Sequence, residues 1–537
     1  MLHFESRKHS TQDFFKINFF RFLYCFVIVL SFAVVIGCKE NVANPNKQLT
    51  LEAFSDLKTE KYAINSHIIR DYIDSLCNND IDSTVADYRV RSYYLNHHDF
   101  LWIDRYGVDN RADTLLQYLD QVVKMGFTSR SFDVNRIKRD LRYIRSLDTD
   151  SVSNLNILLA RLEYRMTKAY LRYAVGQRFG YTNPSYLLNN LDIYEQDSTH
   201  TSYRKLFDIK MQHPGKKFFR MAFKQIYDHN LSIFLKQIQP RNAYYYELMT
   251  KLSENNLSKS ERIRILCNME RCRWRTVNSI PDKGKYVIVN IPAYKLYAVE
   301  DGQIQSMRVG CGAIKTKTPM LYSSINRIDV NPKWIIPMSI IKKDISRHAG
   351  NTYYFDKRNM YITYKKTGQK VDVSRVSASM LLSGDYRVVQ DGGEGNSLGR
   401  IIFRFPNNFS VFLHDTSSKD IFDRDNRGVS HGCVRVDHPY ELAQFILGNE
   451  DEELLEDIKE SMGLNDTETE VDAESMEAVP QDKPKKAKMR TLDVKPTIPL
   501  FITYYTLYKD EQGNIVSYPD VYGYDILISN AIKPFIK

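Results

Sequence analysis

The sequence predicts an α+β protein of several domains, in which a mostly helical N-terminal part precedes a β-rich part. Its 537 residues are too many for one compact core, which favours two or three domains. Over much of residues 60–275 apolar residues recur at three- and four-residue steps, a spacing typical of amphipathic helices. From residue 285 the pattern changes to short runs in which apolar and polar residues alternate, which is typical of strands.

The first 37 residues have the features of an export signal. Residues 1–21 are polar and basic on balance, and 22–37 is a run of 16 residues without a charge. That run is short for a membrane-spanning helix, which takes about 20 residues, and suits the apolar region of a secretory signal. Residues 1–37 are therefore predicted to be a signal peptide and 38–59 a polar tether. An uncleaved membrane anchor is the alternative, and both interpretations predict an exported protein.

Cys38 follows Val35, Ile36 and Gly37, and this ending resembles the lipobox of bacterial lipoproteins. The resemblance implies that Cys38 carries a lipid and becomes the mature N-terminus. The protein would then be attached to a membrane through that lipid and face the periplasm. Lys39 follows where an aspartate would favour the inner membrane, so the same resemblance favours the outer membrane.

The remaining cysteines do not form a disulfide framework. Of the seven cysteines, Cys25 lies in the signal and Cys38 would carry the lipid. The other five are widely spaced: Cys77, Cys267, Cys272, Cys311 and Cys433. An odd set of thiols is a liability in an oxidising compartment, so at least one is predicted to have a reason to stay free.

The charge of the chain argues against one class of function. The formal net charge is +10, and no basic stripe of the kind found in nucleic-acid-binding proteins stands out in the sequence. Nucleic acid is therefore not an expected partner. A mild positive excess suits an anionic polymer such as a cell wall. The sequence leaves the oligomeric state open.

Residues 60–275 are predicted to form a helical scaffold domain. The clearest helix is 155–180, where one face is apolar and Gly180 stands at the expected end. Other helices are predicted at 113–124, with Asp113 as the N-cap, and at 218–238. No cluster of catalytic residue types stands out here, so a scaffold or partner-binding role is expected.

Residues 284–450 are predicted to form the β-rich domain. Asp301-Gly302 lies between two alternating runs and predicts a hairpin. Further strand-like runs are 304–309, 325–330, 400–405 and 411–414. Residues 340–383 interrupt this texture with a Lys- and Tyr-rich stretch, which is predicted to be a lid insertion.

The end of the chain changes character twice. Residues 451–490 are strongly acidic and then basic, which favours a disordered linker. Residues 491–537 return to strand texture, with a hairpin predicted across 511–514. These C-terminal strands are expected to pack on the β-rich domain.

The segment 411–439 combines the residue types of a cysteine nucleophile. His414 ends an apolar strand, and Cys433 follows 19 residues later. A free thiol titrates near 8.5 and needs a base or a cation to form the thiolate, which a histidine returned beside it can supply. Gly432 would let the backbone approach a substrate, leaving the Cys433 N–H for an oxyanion. Arg435, two residues on, would face the same side and suit a substrate carboxylate.

Two other interpretations of this segment remain open from the residues alone. A lone cysteine in an apolar strand is commonly a small core residue. A zinc site is the second alternative, although the spacing matches no common zinc module. Its possible ligands are His414, His431, Cys433 and His438.

The string from His414 to Val436, HDT…SHGCVRV, resembles the signature of the YkuD-type L,D-transpeptidases. Further likenesses to that family lie at 290–294, Gly310, 317–319, 331–334 with Pro337 and Ser339, and 395–400. Residues 100–119 and the string NMERCRWR at 268–275 resemble the helical scaffold of the large periplasmic subgroup. The likeness spans most of residues 90–525.

The resemblance implies a role for each matching residue. Cys433 would be the nucleophile and His414 the base that activates it. His431 and Gly432 would shape the oxyanion site together with the Cys433 amide. Arg435 would hold the substrate, and Ser430 would hold the loop.

It also implies a reaction: acyl transfer through a Cys thioester, forming 3→3 cross-links between peptidoglycan stem peptides during cell wall biogenesis. No metal or organic cofactor is implied, and carbapenem sensitivity is. Water as the acceptor would make the protein an L,D-carboxypeptidase, and a protein amine would make it a wall-anchoring enzyme. A non-catalytic wall-binding lipoprotein is the alternative from another class.

Overall fold

The computed structural model describes residues 64–104, 107–146, 154–196, 200–464 and 490–536. The predicted signal, tether and lipid-bearing Cys38 lie outside these ranges. Within them, no helix is both long and apolar enough to cross a membrane.

Contacts along the chain define two compact units. Among the described residues, the first comprises those of 64–120, 132–172 and 220–234, and the second those of 121–131, 173–219 and 235–536.

The first unit is helical. Its helices are Ser66–Asn79, Val85–Leu95, Arg111–Leu119, Val134–Ser146 and the larger part of Leu155–Phe179, with parts of Lys216–Tyr227 and Leu231–Gln237. The predicted helix at 155–180 is confirmed, and Gly180, with φ of +94°, ends it in a conformation that favours glycine. On this helix the buried Glu163 carboxylate accepts hydrogen bonds from the Leu101 and Trp102 amides at 2.5 and 2.9 Å.

Two of the predicted helices differ in their bounds. The helix predicted at 113–124 is Arg111–Leu119, and Asp113 lies in its first turn instead of capping it. The Asp113 carboxylate accepts a hydrogen bond from the Arg145 guanidinium at 2.7 Å, so the N-cap prediction is wrong. The helix predicted at 218–238 is divided into Lys216–Tyr227 and Leu231–Gln237 because His229 between them takes a φ of +56°.

The second unit is built on a ten-stranded sheet. In order across it lie Ile401–Arg404, Leu413–His414, Val434–Val436, Gln303–Gly312, Lys295–Glu300, Lys285–Asn290, Arg490–Thr503, Met320–Val330 and Phe207–Asp208, with Gly428–Ser430 pairing beside Gln303–Gly312. Ile401–Arg404 also pairs with Met320–Val330, so the sheet closes on itself. The predicted hairpin at Asp301-Gly302 is confirmed by the pairing of Glu300 with Gln303.

The insertion in this sheet is larger than the predicted lid at 340–383. It has a four-stranded sheet of its own, in the order Trp334–Ile335, Tyr386–Gln390, Met360–Tyr364, Lys370–Val371. Its helical turns are Met338–Ile340, Ile341–Ile345, Ser346–His348, Thr352–Asp356, Val373–Arg375 and Ala378–Leu382. A separate apolar core that includes Ile341, Ile345 and Phe355 holds it together. Both ends of the insertion are strands of that small sheet, and their sequence pattern resembles that of the main sheet. The predicted limits at 340 and 383 therefore fell inside the insertion.

The C-terminal part differs from its prediction in two places. Glu452–Ser461 is a helix within the segment predicted as a linker, since Leu455 and Ile458 are buried on one of its faces. Residues 465–489 of that segment lie outside the described ranges. The chain also ends in the helix Tyr524–Ile536, where strands were expected, with Ile528 and Ile532 buried at a helical spacing.

The remaining C-terminal strands follow the prediction. Arg490–Thr503 runs parallel to Lys285–Asn290 and antiparallel to Met320–Val330, so it lies inside the sheet and not at its edge. Leu507–Lys509 and Ile515–Ser517 form the predicted hairpin.

The helical part of the chain is shared between the two units. Ala243–Leu252 and Lys259–Arg273 share an apolar core with Leu507, Ile528 and Ile532. These helices therefore belong to the unit that contains the sheet, and the predicted boundary at 275 does not coincide with the division into compact units.

Candidate active site

The two predicted catalytic residues lie at neighbouring parallel strands: His414 ends Leu413–His414, and Cys433 directly precedes Val434–Val436. Leu413 pairs with Val434 and His414 pairs with Arg435. Leu413 and Val434 are buried in the core, so the alternation of side chains along a strand directs His414, Arg435 and Cys433 to the opposite face. His414 and Cys433 are thus diagonal neighbours on one face, and Arg435 is the residue directly beside His414.

The His414 imidazole is uncharged over most of the pH range. Its side chain is buried, and this burial, together with the positive charge of Arg435, lowers the pKa of His414 to about 4. Nδ1 lies 2.5 Å from the Asp415 carbonyl oxygen. A carbonyl can only accept a hydrogen bond, so Nδ1 carries the hydrogen and Nε2 keeps its lone pair. The ring is therefore a base with its accepting nitrogen fixed.

The Cys433 thiol is also uncharged in this arrangement. It is half-buried, and this burial raises the pKa of the thiol, against the Phe412 N–H and the charge of Arg435, which lower it. The thiol donates to the Ser410 carbonyl at 3.8 Å. Among the described residues, no hydrogen bond joins it to His414. Transfer of its proton would therefore have to accompany attack on a substrate.

Ser430 holds the loop that carries the cysteine. Its hydroxyl donates to the Cys433 carbonyl at 2.6 Å and accepts from the Gly432 N–H at 3.0 Å. Gly432 has a φ of +122°, a conformation open to glycine and strained for other residues. With the Gly432 amide occupied, the Cys433 N–H remains without a partner among the residues that the structure describes. It is available to stabilise an oxyanion.

Residues that are distant in sequence hold this loop through hydrogen bonds. The Thr318 hydroxyl donates to the Gly432 carbonyl at 2.9 Å and accepts from the Gly312 N–H at 2.8 Å. Tyr522, near the end of the chain, donates to the Gly312 carbonyl at 2.7 Å and accepts from the Thr318 N–H at 3.1 Å. The C-terminal segment thus helps to fix the geometry around Cys433.

The NMERCRWR string holds that C-terminal segment in place. The Asn268 side-chain oxygen accepts from the Thr506 and Leu507 amides at 3.1 and 3.3 Å. Arg271 pairs with Asp525 at 2.6 Å, with both side chains almost fully buried. This part of the helical region therefore has a structural role within the second unit.

Arg435 presents a guanidinium without an anion. It forms no ion pair or hydrogen bond to the described part of the chain, and its Nε is buried without an acceptor. Burial lowers the pKa of Arg435, with opposing contributions from Cys433 and Asp420. A half-buried cation with unused donors favours the binding of an anion, most of all a carboxylate.

Asp415 is a positioning residue that the sequence did not single out. Its carboxylate accepts from the Arg400 N–H at 2.8 Å and from Lys419 at 2.7 Å, and its carbonyl accepts from His414. A Cβ on Gly399 would lie 2.4 Å from the Asp415 side chain, so glycine is required there. Both residues stand in strings that resemble the family, HDT and NSLGR, but only the folded chain brings them together.

The zinc alternative finds no cluster in the described ranges. No three side chains of His, Cys, Asp or Glu come together there as a metal site. His438 lies 3.5 Å from both Asp437 and Glu441, directed to those two carboxylates.

A cavity of about 380 Å³ lies at the carboxyl ends of the two parallel strands. Its wall includes Gly399, Asp415, Lys419, His438 and Tyr440. It borders the support of His414, but neither His414 nor Cys433 lines it.

Replacing Gly432 by alanine is expected to impair the site more than the fold. An alanine at this φ of +122° would be strained by about 1–3 kcal/mol. If the backbone relaxed to relieve that strain, the Cys433 N–H would no longer point towards the oxyanion. We expect a small loss of thermal stability and a fall of about 10²-fold in the acyl transfer that the sequence predicts. Melting curves and kcat/KM measure the two effects. Gly463, with φ of +67° and open space around it, serves as the control glycine.

Comparison with known proteins gives two family matches. Residues 284–471 match the YkuD family, described as the L,D-transpeptidase catalytic domain. Residues 88–252 match the family of a scaffold domain.

A relative from Haemophilus influenzae carries the curated name "Putative L,D-transpeptidase". It is 29% identical over 330 residues, which are 60% of this chain and 60% of that protein. The chain thus spans about three fifths of the length of the curated relative that it matches.

Proposed function

We propose that this chain, which carries a YkuD L,D-transpeptidase catalytic domain and a scaffold domain, forms 3→3 cross-links between peptidoglycan stem peptides. The observation that carries the proposal is the arrangement around Cys433. A half-buried thiol shares one sheet face with an uncharged imidazole, beside an amide and a guanidinium that have no partner among the described residues. These are a nucleophile, a base, an oxyanion donor and a carboxylate receptor.

In the first step, Cys433 Sγ attacks the carbonyl between the diamino residue of a donor stem and its terminal D-Ala. The thiol proton passes to Nε2 of His414, and the Cys433 N–H stabilises the oxyanion. The C–N bond then breaks, and the same proton goes to the departing amine of D-Ala. Arg435 holds the carboxylate of that D-Ala. The product is a thioester on Cys433.

In the second step, the side-chain amine of a neighbouring stem attacks the thioester. Its proton returns through His414 to the sulfur, the C–S bond breaks, and an amide joins the two stems. Splitting one displacement into two in this way is covalent catalysis. The residues that take part are all in the second unit.

The same acyl-enzyme could serve other acceptors. Water would make the protein an L,D-carboxypeptidase, and the amine of a lipoprotein would make it a wall-anchoring enzyme. A non-catalytic wall-binding protein would have no use for a thiol beside an uncharged imidazole. Of the two half-buried cysteines in the described ranges, Cys433 shares a sheet face with His414, whereas Cys272 lies in the helix Lys259–Arg273.

Product analysis tests the proposal directly. The purified protein is incubated with disaccharide tetrapeptides, and the products are separated and weighed. Dimers joined between two diamino residues, with one D-Ala released per dimer, are the expected result. Tripeptides alone would replace the proposal by the carboxypeptidase, and unchanged substrate would favour the non-catalytic alternative.

We also propose that a lipid on Cys38 anchors the protein to the outer membrane, facing the periplasm. The lipobox-like ending at Cys38 supports this. Growth with a labelled fatty acid should label the protein, and a Cys38→Ala variant should lose both the label and the membrane fraction. A labelled Cys38→Ala variant would contradict the proposal.

The pH dependence of kcat/KM is expected to show an acid limb near pH 4. His414 must be unprotonated to act as a base, and its pKa is lowered to about 4, so activity falls only as the pH drops below that value. Removing the positive charge with Arg435→Gln should raise this pKa and move the limb to higher pH. A pH series of kcat/KM for both proteins measures it. A limb near 6.5 in both would contradict a buried, uncharged base.

A further inference from the structure

The insertion presents a lysine to the active-site motif. The turn Ile341–Ile345 is a π-helix, a form frequent at functional sites. Ile341 and Ile345 are buried in the core of the insertion, which leaves Lys342 and Lys343 exposed between them. The direction of Lys343 is therefore set by the packing of its neighbours.

Lys343 contacts the motif through His431. Its Nζ lies 3.5 Å from Nε2 of His431. An ammonium group can only donate, so Nε2 accepts and the imidazole is uncharged in this contact. His431 stands two residues before Cys433, which places their Cα atoms at most about 7 Å apart. Lys343 is thus the point at which the insertion reaches the motif loop.

The positive charges around Cys433 lack partners. Neither Lys343 nor Arg435 forms an ion pair with any carboxylate of the described ranges. The charge of Asp344 acts on His431 and that of Asp420 acts on Arg435, but these carboxylates form their ion pairs elsewhere, with Arg347 at 3.5 Å and with Arg424 at 2.5 Å. Arg435 follows Cys433 by two residues, and Lys343 meets the residue two before it. Besides its burial, the charges of Lys343 and Arg435 both lower the pKa of His431. A peptide bound at Cys433 would therefore meet two cations at the motif loop.

We infer that Lys343 is a substrate-binding residue that recognises a free carboxylate on the donor stem, in addition to the carboxylate bound by Arg435. The inference rests on the proposed function and names its substrate class. The preferred donor is a stem whose diamino residue keeps its second carboxylate free. Stems in which that group is amidated are poorer donors.

The charge of Lys343 also indicates whether it binds the donor stem or the acceptor stem. The acceptor attacks through an amine, which carries a positive charge before it loses its proton. A lysine beside that amine would repel it, by Coulomb's law. A carboxylate of the donor is attracted by the same charge. Lys343 therefore belongs to the donor side of the site.

The test compares two lysines of the same turn. Lys343→Gln and Lys342→Gln are assayed with a donor tetrapeptide bearing a free carboxylate and with its amidated form. For Lys343→Gln we expect KM for the free acid to rise about tenfold, with kcat little changed and KM for the amide unaltered. Lys342→Gln should match the wild type with both donors. Lys343→Glu should reverse the preference in favour of the amide.

Each other outcome has a definite meaning. An equal loss on both donors would assign Lys343 a structural role and overturn the inference. So would a KM for Lys343→Gln that equals the wild-type value with both donors. If the wild type forms no acyl-enzyme with either donor, the proposed function itself fails, and the mass of the protein after incubation reveals this separately.

Discussion

A Cys433→Ala variant is expected to lose acyl transfer completely, with kcat/KM lower by more than about 10⁴-fold. The reason is that both steps of the proposed mechanism pass through a bond to this sulfur, and no other nucleophile of the motif loop is free to replace it. Ser430 is bound at both ends of its hydroxyl, to the Cys433 carbonyl and to the Gly432 amide. The measurement is the rate of D-Ala release from a donor tetrapeptide.

The same variant separates the nucleophile from other thiols. Incubation with a carbapenem should add the mass of one lactam to the wild type and none to Cys433→Ala. Cys272 is the other half-buried cysteine in the described ranges, so Cys272→Ala is the matched control and should be acylated like the wild type. Adducts of equal extent on Cys433→Ala and the wild type would remove Cys433 from the mechanism.

Replacing His414 by glutamine is expected to lower kcat/KM by about 10²- to 10⁴-fold, the usual contribution of a general base. Glutamine can keep a hydrogen bond to the Asp415 carbonyl but has no basic nitrogen at the position of Nε2. The thiol pKa is already raised by burial, so little thiolate exists to compensate. Single-turnover acylation by the donor measures the loss without the second step.

His438→Gln provides the control for that experiment. His438 is also close to the motif in sequence, but its ring is directed to Asp437 and Glu441 on the surface. Its replacement should leave acylation within about twofold of the wild type. A His438 variant as slow as the His414 variant would mean that the proton acceptor has been assigned to the wrong imidazole.

Local features of the fold were predictable because their causes are local. The helix Leu155–Phe179 follows from one apolar face and a glycine at its end. The hairpins at Asp301-Gly302 and at 511–514 follow from turn residues between alternating runs. In these cases the residues that define the structure are within a few positions of one another.

Pairings over long sequence distances were not predictable. Arg490–Thr503 enters the sheet between two strands that lie more than 150 residues earlier, which no local pattern indicates. The limits of the insertion were not predictable for the same reason, because Trp334 pairs with Gln390, 56 positions later in the sequence. Burial of shared apolar faces selects these partners, and it depends on every strand at once.

By itself the sequence determined which chemical groups the site contains. The spacing from His414 to Arg435 identified a thiol, an imidazole and a guanidinium on two strands, together with the family resemblance. The tertiary structure alone decided the protonation states and the neighbours of these groups. It lowers the pKa of His414 to about 4, and it places the Asp415 carbonyl where it selects the tautomer of that ring. It also brings Lys343 beside His431. The physical reason is that a pKa or an ion contact depends on burial and on charges nearby in space, which the folded chain supplies from distant positions.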